Sequence, residues 1–182
     1  MPAKIQIVIT GKGKGNTFVV PYSHTAGLQM DANTGKPVIY KVPWYEVRIG
    51  GGGAYRAVRF GLQNKGHAPP PALRACDAGL SSGRICTPMW VPGYSPHSFA
   101  GGSRTGAWRL LPGKGFLIHE GADGAKGQVG GSLGCVEILD GGWNAFLGEL
   151  EKLGGDSCAS LGAAGKMSVK IEAASFPVAT LV

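Results

Sequence analysis

Hydrophobic and polar positions alternate along the first third of the chain in short runs bounded by glycine. The runs are Ile5-Gln6-Ile7-Val8-Ile9, Thr17-Phe18-Val19-Val20, Val38-Ile39-Tyr40-Lys41-Val42, Trp44-Tyr45-Glu46-Val47-Arg48-Ile49 and Tyr55-Arg56-Ala57-Val58-Arg59-Phe60. They are rich in β-branched and aromatic residues, and the breaks from Gly11 to Gly15, Asp31 to Gly35 and Gly50 to Gly53 carry turn chemistry, so each run predicts a strand. A meander of antiparallel strands over 1–62 is the simplest assembly. Over 63–106 the alternation stops. Pro69-Pro70-Pro71, a short helix around Ala72 to Ala75 and the aromatic stretch Trp90-Val91-Pro92-Gly93-Tyr94-Ser95-Pro96-His97 predict a long ordered loop, the kind that serves as a lid. Over 107–182 the pattern resumes. Ala107 to Leu111 and Met167 to Ile171 read as strands, and Gly115 to His119 as a buried strand ending in a histidine. Ser132 to Ile138 forms the next apolar run. Trp143, Phe146, Leu147, Leu150 and Leu153 recur at spacings of three or four, predicting one amphipathic helix closed by Gly154-Gly155. The predicted fold class is mainly β with one helix.

Composition narrows this picture. A chain of 182 residues closes one domain with a proper core. With 32 glycines and 12 prolines an all-helical fold is excluded. The 18 Lys and Arg against 11 Asp and Glu give +7, which favours anionic partners. The basic residues are scattered without a dense run or an RNA-reading aromatic motif, so no nucleic-acid partner is expected. The apolar start, Ile5 to Ile9, is too short for a signal-peptide core, and no run approaches the roughly 18 to 20 apolar residues of a membrane span. The expectation is a soluble monomer made in the cytoplasm. Neither Gly11-Lys12-Gly13-Lys14-Gly15-Asn16-Thr17 nor Gly50 to Gly53 fits a phosphate-binding loop, so both read as hairpin turns. Four cysteines are too few for a disulfide scaffold, although Cys76 and Cys86 could bridge a loop.

One constellation carries chemistry. A thiol attacks as thiolate, so a catalytic cysteine wants an imidazole to take its proton. His119 and Cys135 stand 16 residues apart, each at the edge of an apolar run, and adjacent strands could bring them together. Gly134 leaves room for the backbone N–H groups of Gly134 and Cys135 to face a developing oxyanion. Ser132 could orient the imidazole or a substrate amide. No Cys-x-x-Cys or His-Glu-x-x-His spacing supports a metal site, and no cofactor is expected.

The run Ile118-His119-Glu120-Gly121, followed by Gly131-Ser132-Leu133-Gly134-Cys135-Val136, resembles the signature of the L,D-transpeptidase catalytic domain of YkuD type: a histidine, a spacer, then Ser/Thr-His-Gly-Cys. A helix and a closing strand follow the cysteine in that family, as Trp143 to Leu153 and Met167 to Ile171 do here. The likeness covers about residues 105 to 171. Leu133 stands where the family usually has a second histidine, Glu137 where an arginine is common, and the spacer is short. These departures are similar to those of L,D-transpeptidase-like effectors of type VI secretion.

The resemblance implies a YkuD-like β-sandwich or meander with a loop over the site, and an activity. Cys135 would attack the carbonyl of the diamino-acid residue in a peptidoglycan tetrapeptide stem, release D-alanine and leave a thioester, with His119 as base and then acid. Water as acceptor gives an L,D-carboxypeptidase; an amine gives crosslinking or exchange. Trp90, Tyr94, His97 and Trp108 are candidates to line the pocket, and Arg104 or Arg109 to hold a stem carboxylate. An antibacterial effector would be exported by a specialised system to a target-cell periplasm, with a secretion-machine component and an immunity protein as partners.

Two rival readings stand beside this one, and chain order disfavours the first. In NlpC/P60-type amidases the cysteine precedes the histidine, and here the order is reversed. A noncatalytic β domain that binds wall polymer or assembles in a particle would keep the motif as a relic. Cys158, the Cys76/Cys86 pair, His24 and His67 read as structural or surface residues.

Overall fold

The computed structural model describes residues 4–23, 27–65, 72–76, 80–95 and 103–182. The amino-terminal strands are β1 (Ile5–Ile9), β2 (Lys14–Val19), β3 (Tyr22–Ser23), β4 (Gly27–Leu28), β5 (Tyr40–Ile49) and β6 (Ala54–Val58). The middle of the chain carries β7 (Gly61–Lys65), β8 (Ala72–Cys76), β9 (Arg84–Cys86) and β10 (Met89–Val91), with a single 3-10 turn at Leu80–Ser82. Then come β11 (Ala107–Arg109), β12 (Leu117–Glu120), β13 (Val136–Ile138), α1 (Trp143–Gly154), α2 (Cys158–Ala163), β14 (Met167–Ile171) and β15 (Thr180–Leu181). The fold is mainly β, as the hydrophobic pattern predicts.

Among the described residues the strands form one eleven-stranded mixed sheet, ordered β10-β11-β12-β13-β6-β5-β1-β14-β9 with β2 and β15 on β5, and a four-stranded sheet, β4-β3-β7-β8. The amino-terminal strands are therefore not the simple meander the spacing suggests. β1 lies between β5 and a parallel β14, and β2 pairs with β5 instead of β1. The reason lies in β5. Its buried positions fall on Tyr40 and Val42, then shift phase to Tyr45, Val47 and Ile49. One strand thus serves two cores, the smaller around Val19, Tyr40, Val42, Val58, Leu62 and Leu139, the larger around Ile7, Val47, Trp108, Ile118 and Phe146. The phase changes at Pro43-Trp44, where the partner strand β2 shifts register between Lys14 and Thr17. Proline has no N–H to give to a ladder, so a bulge opposite it is the physical expectation.

Residues 63–106 also differ from expectation. The described part holds strands β7 to β10, and the short helix expected around Ala72 to Ala75 is strand β8, paired with β7 from Gly61↔Cys76 to Lys65↔Ala72. Four residues of helix propensity cannot compete with a five-pair ladder that satisfies both backbones.

Helix α1 forms as its spacing predicts. It buries Trp143, Phe146, Leu147 and Leu150, and Gly155 ends it at φ 66° with its N–H on the Glu151 carbonyl. Leu153, counted in the same stripe, is instead 43% exposed. The sequence pattern missed α2, a second short helix nucleated by Ser157, whose hydroxyl accepts the Ser160 N–H. No helix among the described residues is long and apolar enough to cross a membrane.

Arg59 ties the carboxyl end of β6 to those of β1 and β14. It is 2% exposed, and its guanidinium donates to the carbonyls of Thr10 (2.8 Å), Leu80 (3.2 Å) and Glu172. Tyr45 and Phe60 lie against it, with ring centroids 5.9 and 5.3 Å away. Arg59→Met would leave buried carbonyls unanswered, so it should lower the unfolding free energy by about 3 kcal/mol or more in a urea titration.

Candidate active site

The site is built on two parallel neighbours, β12 and β13, in register Ile118↔Val136, His119↔Glu137 and Glu120↔Ile138. Side chains alternate across a strand and register partners share a face. Ile118, Val136 and Ile138 enter the large core beneath α1. Leu117, His119 and Glu137 therefore face the other side, and Cys135, two residues before Glu137, falls on that side as well. On the neighbouring β11, Arg109 pairs with Leu117 and joins the same face.

Contacts at the sulfur agree. The Cys135 thiol donates to the Gly115 carbonyl at 3.4 Å, and the Leu117 N–H and the Ser132 hydroxyl nearby favour its ionised form. The thiol therefore sits over the stretch that leads into the histidine strand. Burial, reinforced by the negative charge available to Glu137, outweighs these donors and pushes the thiol up to about 11. At neutral pH it is protonated.

His119 is 2% exposed. Its Nδ1 lies 2.5 Å from the Glu120 carbonyl. A carbonyl only accepts, so this contact assigns the proton to Nδ1 and makes Nε2 the basic nitrogen of the neutral ring. The Tyr94 ring covers the imidazole, 5.4 Å between centroids at 53°, and the Gly106 N–H holds the Tyr94 carbonyl at 2.8 Å. Burial, with Cys135 and Glu137 as nearby negative charges, raises the Tyr94 hydroxyl to about 12, so it is a donor throughout the working range.

The turn that delivers Cys135 is pinned from both sides. Ser132 Oγ accepts the Gly134 N–H at 3.0 Å and donates to the Cys135 carbonyl at 3.2 Å. The hydroxyl thus shapes this turn instead of orienting the imidazole, and the Gly134 N–H expected to face an oxyanion is engaged by it, a local Ser-to-backbone closure two residues long. Gly134 has φ 116°, a left-handed conformation that favours glycine. A Cβ on Gly61, at the start of β7, would stand 2.1 Å from the Ser132 carbonyl oxygen and 2.4 Å from the Gly134 nitrogen. A Cβ on Gly131 would meet the Val20 carbonyl at 2.5 Å. The cysteine turn is wedged between β7 and the chain leaving β2.

The other sequence candidates divide. Tyr94 and Arg109 belong to this face, and Arg109 Nε is buried with no hydrogen-bond partner among the described residues. Trp108 is fully buried on the opposite face, opposite Ile118, and Trp90 packs on it at 4.9 Å. Both tryptophans are core, because the register that puts Arg109 toward the cysteine turns its neighbour away. Arg104 is held by Glu151 of α1 through two bonds of 2.8 and 2.7 Å, so its charge is committed elsewhere. His97 lies outside the described residues, as does the Cys76 side chain. Cys86 and Cys158 carry free thiols. Two surface cavities of about 630 and 620 Å³, at Gly11, Ser81 and Glu172 and at Lys36, Lys126 and Val182, are lined by none of the site residues. Among the described residues, no three His, Cys, Asp or Glu side chains are arranged to hold a metal ion.

Two residues at the site were not among the sequence's candidate site residues. Gly61 gave no signal, because a glycine after a strand looks like any turn. Glu137 did: a carboxyl between Val136 and Ile138 in a strand with neighbours on both sides must be buried. It is 2% exposed, and burial raises it from 4.5 to about 8.

Both residues yield expected outcomes. Gly61→Ala should displace the cysteine turn, destabilising the protein by about 2 kcal/mol or more and changing the alkylation rate of Cys135, read by peptide mass spectrometry. Because the folded carboxyl of Glu137 is raised, its contribution to stability is complete below pH 4.5 and is lost as pH rises through about 8. Relative to Glu137→Gln, the wild type should lose a few kcal/mol across that window, at about 1.4 kcal/mol per unit. Parallel stability curves would contradict this assignment.

Comparison with protein-family models, with curated proteins and with solved structures found no match for this chain.

Proposed function

We propose that this protein is a cysteine acyl-transfer enzyme of L,D-transpeptidase type that acts on the tetrapeptide stems of peptidoglycan. The observation that carries the reading is the shared face of β12 and β13, with Cys135 beside the approach to His119 and the imidazole tautomer set with Nε2 as base. The substrate class rests on the resemblance of Ile118 to Gly121 and Gly131 to Val136 to that family's signature.

In this mechanism Nε2 of His119 takes the Sγ proton as the sulfur attacks the stem carbonyl. A thiol held near 11 is not a thiolate in waiting, so the base acts during attack. The tetrahedral intermediate collapses, the imidazolium gives its proton to the departing D-alanine nitrogen, and a thioester remains. Water or an amine then enters, its proton goes to His119, and the sulfur leaves. Arg109 holds a stem carboxylate, and the Tyr94 hydroxyl serves as a side-chain donor for the oxyanion, since the Gly134 N–H is engaged. As an antibacterial effector the protein would meet its substrate in a target-cell periplasm and its producer's immunity protein beforehand.

The neutral thiol and the engaged Gly134 N–H favour a second reading, a noncatalytic β domain that binds wall polymer or assembles in a particle. Purified sacculi separate the two. Wild type should remove or exchange the terminal D-alanine of tetrapeptide stems, seen by muropeptide mass. Cys135→Ala and His119→Ala should lose this by roughly a thousandfold or more while still folding. Identical muropeptides from all three proteins would leave the noncatalytic domain standing.

A further inference from the structure

The site holds a third titratable group that the mechanism above does not use. Glu137 lies directly across from His119 in the β12–β13 ladder, two residues beyond Cys135 on the same face. It is closely approached from β12's end: a Cβ on Gly121 would stand 2.6 Å from the Glu137 Cβ. The other neighbour, β6, presents Val58 opposite it, an apolar side chain that belongs to the small core. Arg56, two positions along β6, is bound to Asp140 at 3.0 Å. From β11 the same face receives Arg109, beside Leu117. The segment after β10 brings Tyr94 over the imidazole. A buried carboxyl thus shares one face with a half-exposed thiol, a buried imidazole and a phenol.

We propose that Glu137 is the electrostatic gate of the Cys135–His119 pair, a positioning residue whose neutral acid form lets negative charge develop on the sulfur and whose ionised form opposes it. The inference rests on the cysteine-enzyme reading above, though not on the identity of the substrate. When Sγ gives its proton to Nε2, the face gains a thiolate and an imidazolium. A protonated Glu137 leaves that separation undisturbed and can donate its own O–H toward the new negative charge. An ionised Glu137 adds a second negative charge on the same face as the half-exposed thiol, where Coulomb repulsion is screened less than in bulk water. Its charge already raises both Cys135 and Tyr94. The carboxyl and the thiol therefore titrate as a coupled set, and removing one moves the other.

The test reads the thiol directly. Wild type and Glu137→Gln are alkylated with iodoacetamide from about pH 6 to about pH 10, and modification of Cys135 is followed by peptide mass spectrometry. The amide mimics the neutral acid, so the two proteins should react alike at the acid end. At the alkaline end the variant should react roughly three- to tenfold faster, its thiol titrating lower. Glu137→Met, neutral and unable to donate, is the second variant and should show the same alkaline gain. Superimposable profiles in folded proteins would overturn the proposal. A purely structural Glu137 would shift melting temperature and leave the thiol profile in place. If the profile moves while sacculi stay untouched, the gate stands and the substrate assignment falls. If sacculi are processed while the profile is unmoved, the gate alone falls.

Discussion

The parallel pairing of β12 with β13 is the constraint on which the rest of this structure depends. Parallel neighbours cannot be joined by a hairpin; the chain must travel back along the sheet before it can re-enter, and a helix usually does this. Here the return runs from Gly121 to Cys135 without one. The segment satisfies its backbone against β2 instead, with the Phe18 and Val20 N–H groups on the Gly124 and Gly130 carbonyls, both at 3.2 Å, and Thr17 Oγ1 donating to the Gly124 carbonyl at 3.0 Å. Such close passage demands glycine: a Cβ on Gly124 would stand 2.3 Å from Thr17 Oγ1. The glycine-rich spacer between histidine and cysteine is thus a crossover laid flat on a strand, and its length follows from the geometry it must close.

That crossover also sets where the thiol stands on the sheet. A residue just before a strand has no ladder to orient it, so the side-chain direction of Cys135 must come from elsewhere. It comes from the Ser132-to-Gly134 closure, from Gly61 pressing on the turn, and from the Leu117 N–H at the sulfur. Ser132 is therefore a structural part of the turn that carries Cys135. The four-stranded sheet, remote from the chemistry in sequence, has a job in this arrangement: β7 is the wall against which the turn is set.

Much of the fold was legible because strand formation is local. Ile5 to Ile9, Met167 to Ile171 and the Trp143 helix have patterns that only one element satisfies. Register was not legible, since it is a relation between distant segments. The phase shift at Pro43 sits in plain view in the alternation of Tyr40, Val42, Tyr45 and Val47, yet it takes a second core to give the shift a meaning. The same holds at the site. His119 and Cys135 could be chosen by chemistry, whereas Trp90, Trp108 and Arg104 were chosen as aromatic or basic residues nearby. Chemistry of residue type cannot say which face a side chain takes. One register step separates Arg109, toward the thiol, from Trp108, in the core.

The departures from the resembled signature have a common electrostatic consequence. A histidine before the glycine and an arginine two residues after the cysteine would both bring positive charge to the sulfur and lower its proton affinity. This chain has Leu133 and Glu137 there, one neutral and half-buried, the other a buried acid. Both changes act in the same direction, and the thiol rises where a family-like site would hold it down. A nucleophile in such surroundings cannot rely on a standing thiolate–imidazolium pair. It needs its proton taken when the carbonyl arrives, by a ring whose basic nitrogen is already set by the Glu120 carbonyl behind it. It also needs its neighbouring acid to stay protonated meanwhile. On the proposed reading Glu137 is compatible with cysteine chemistry only because burial keeps it neutral, and that same burial costs the fold stability above pH 4.5.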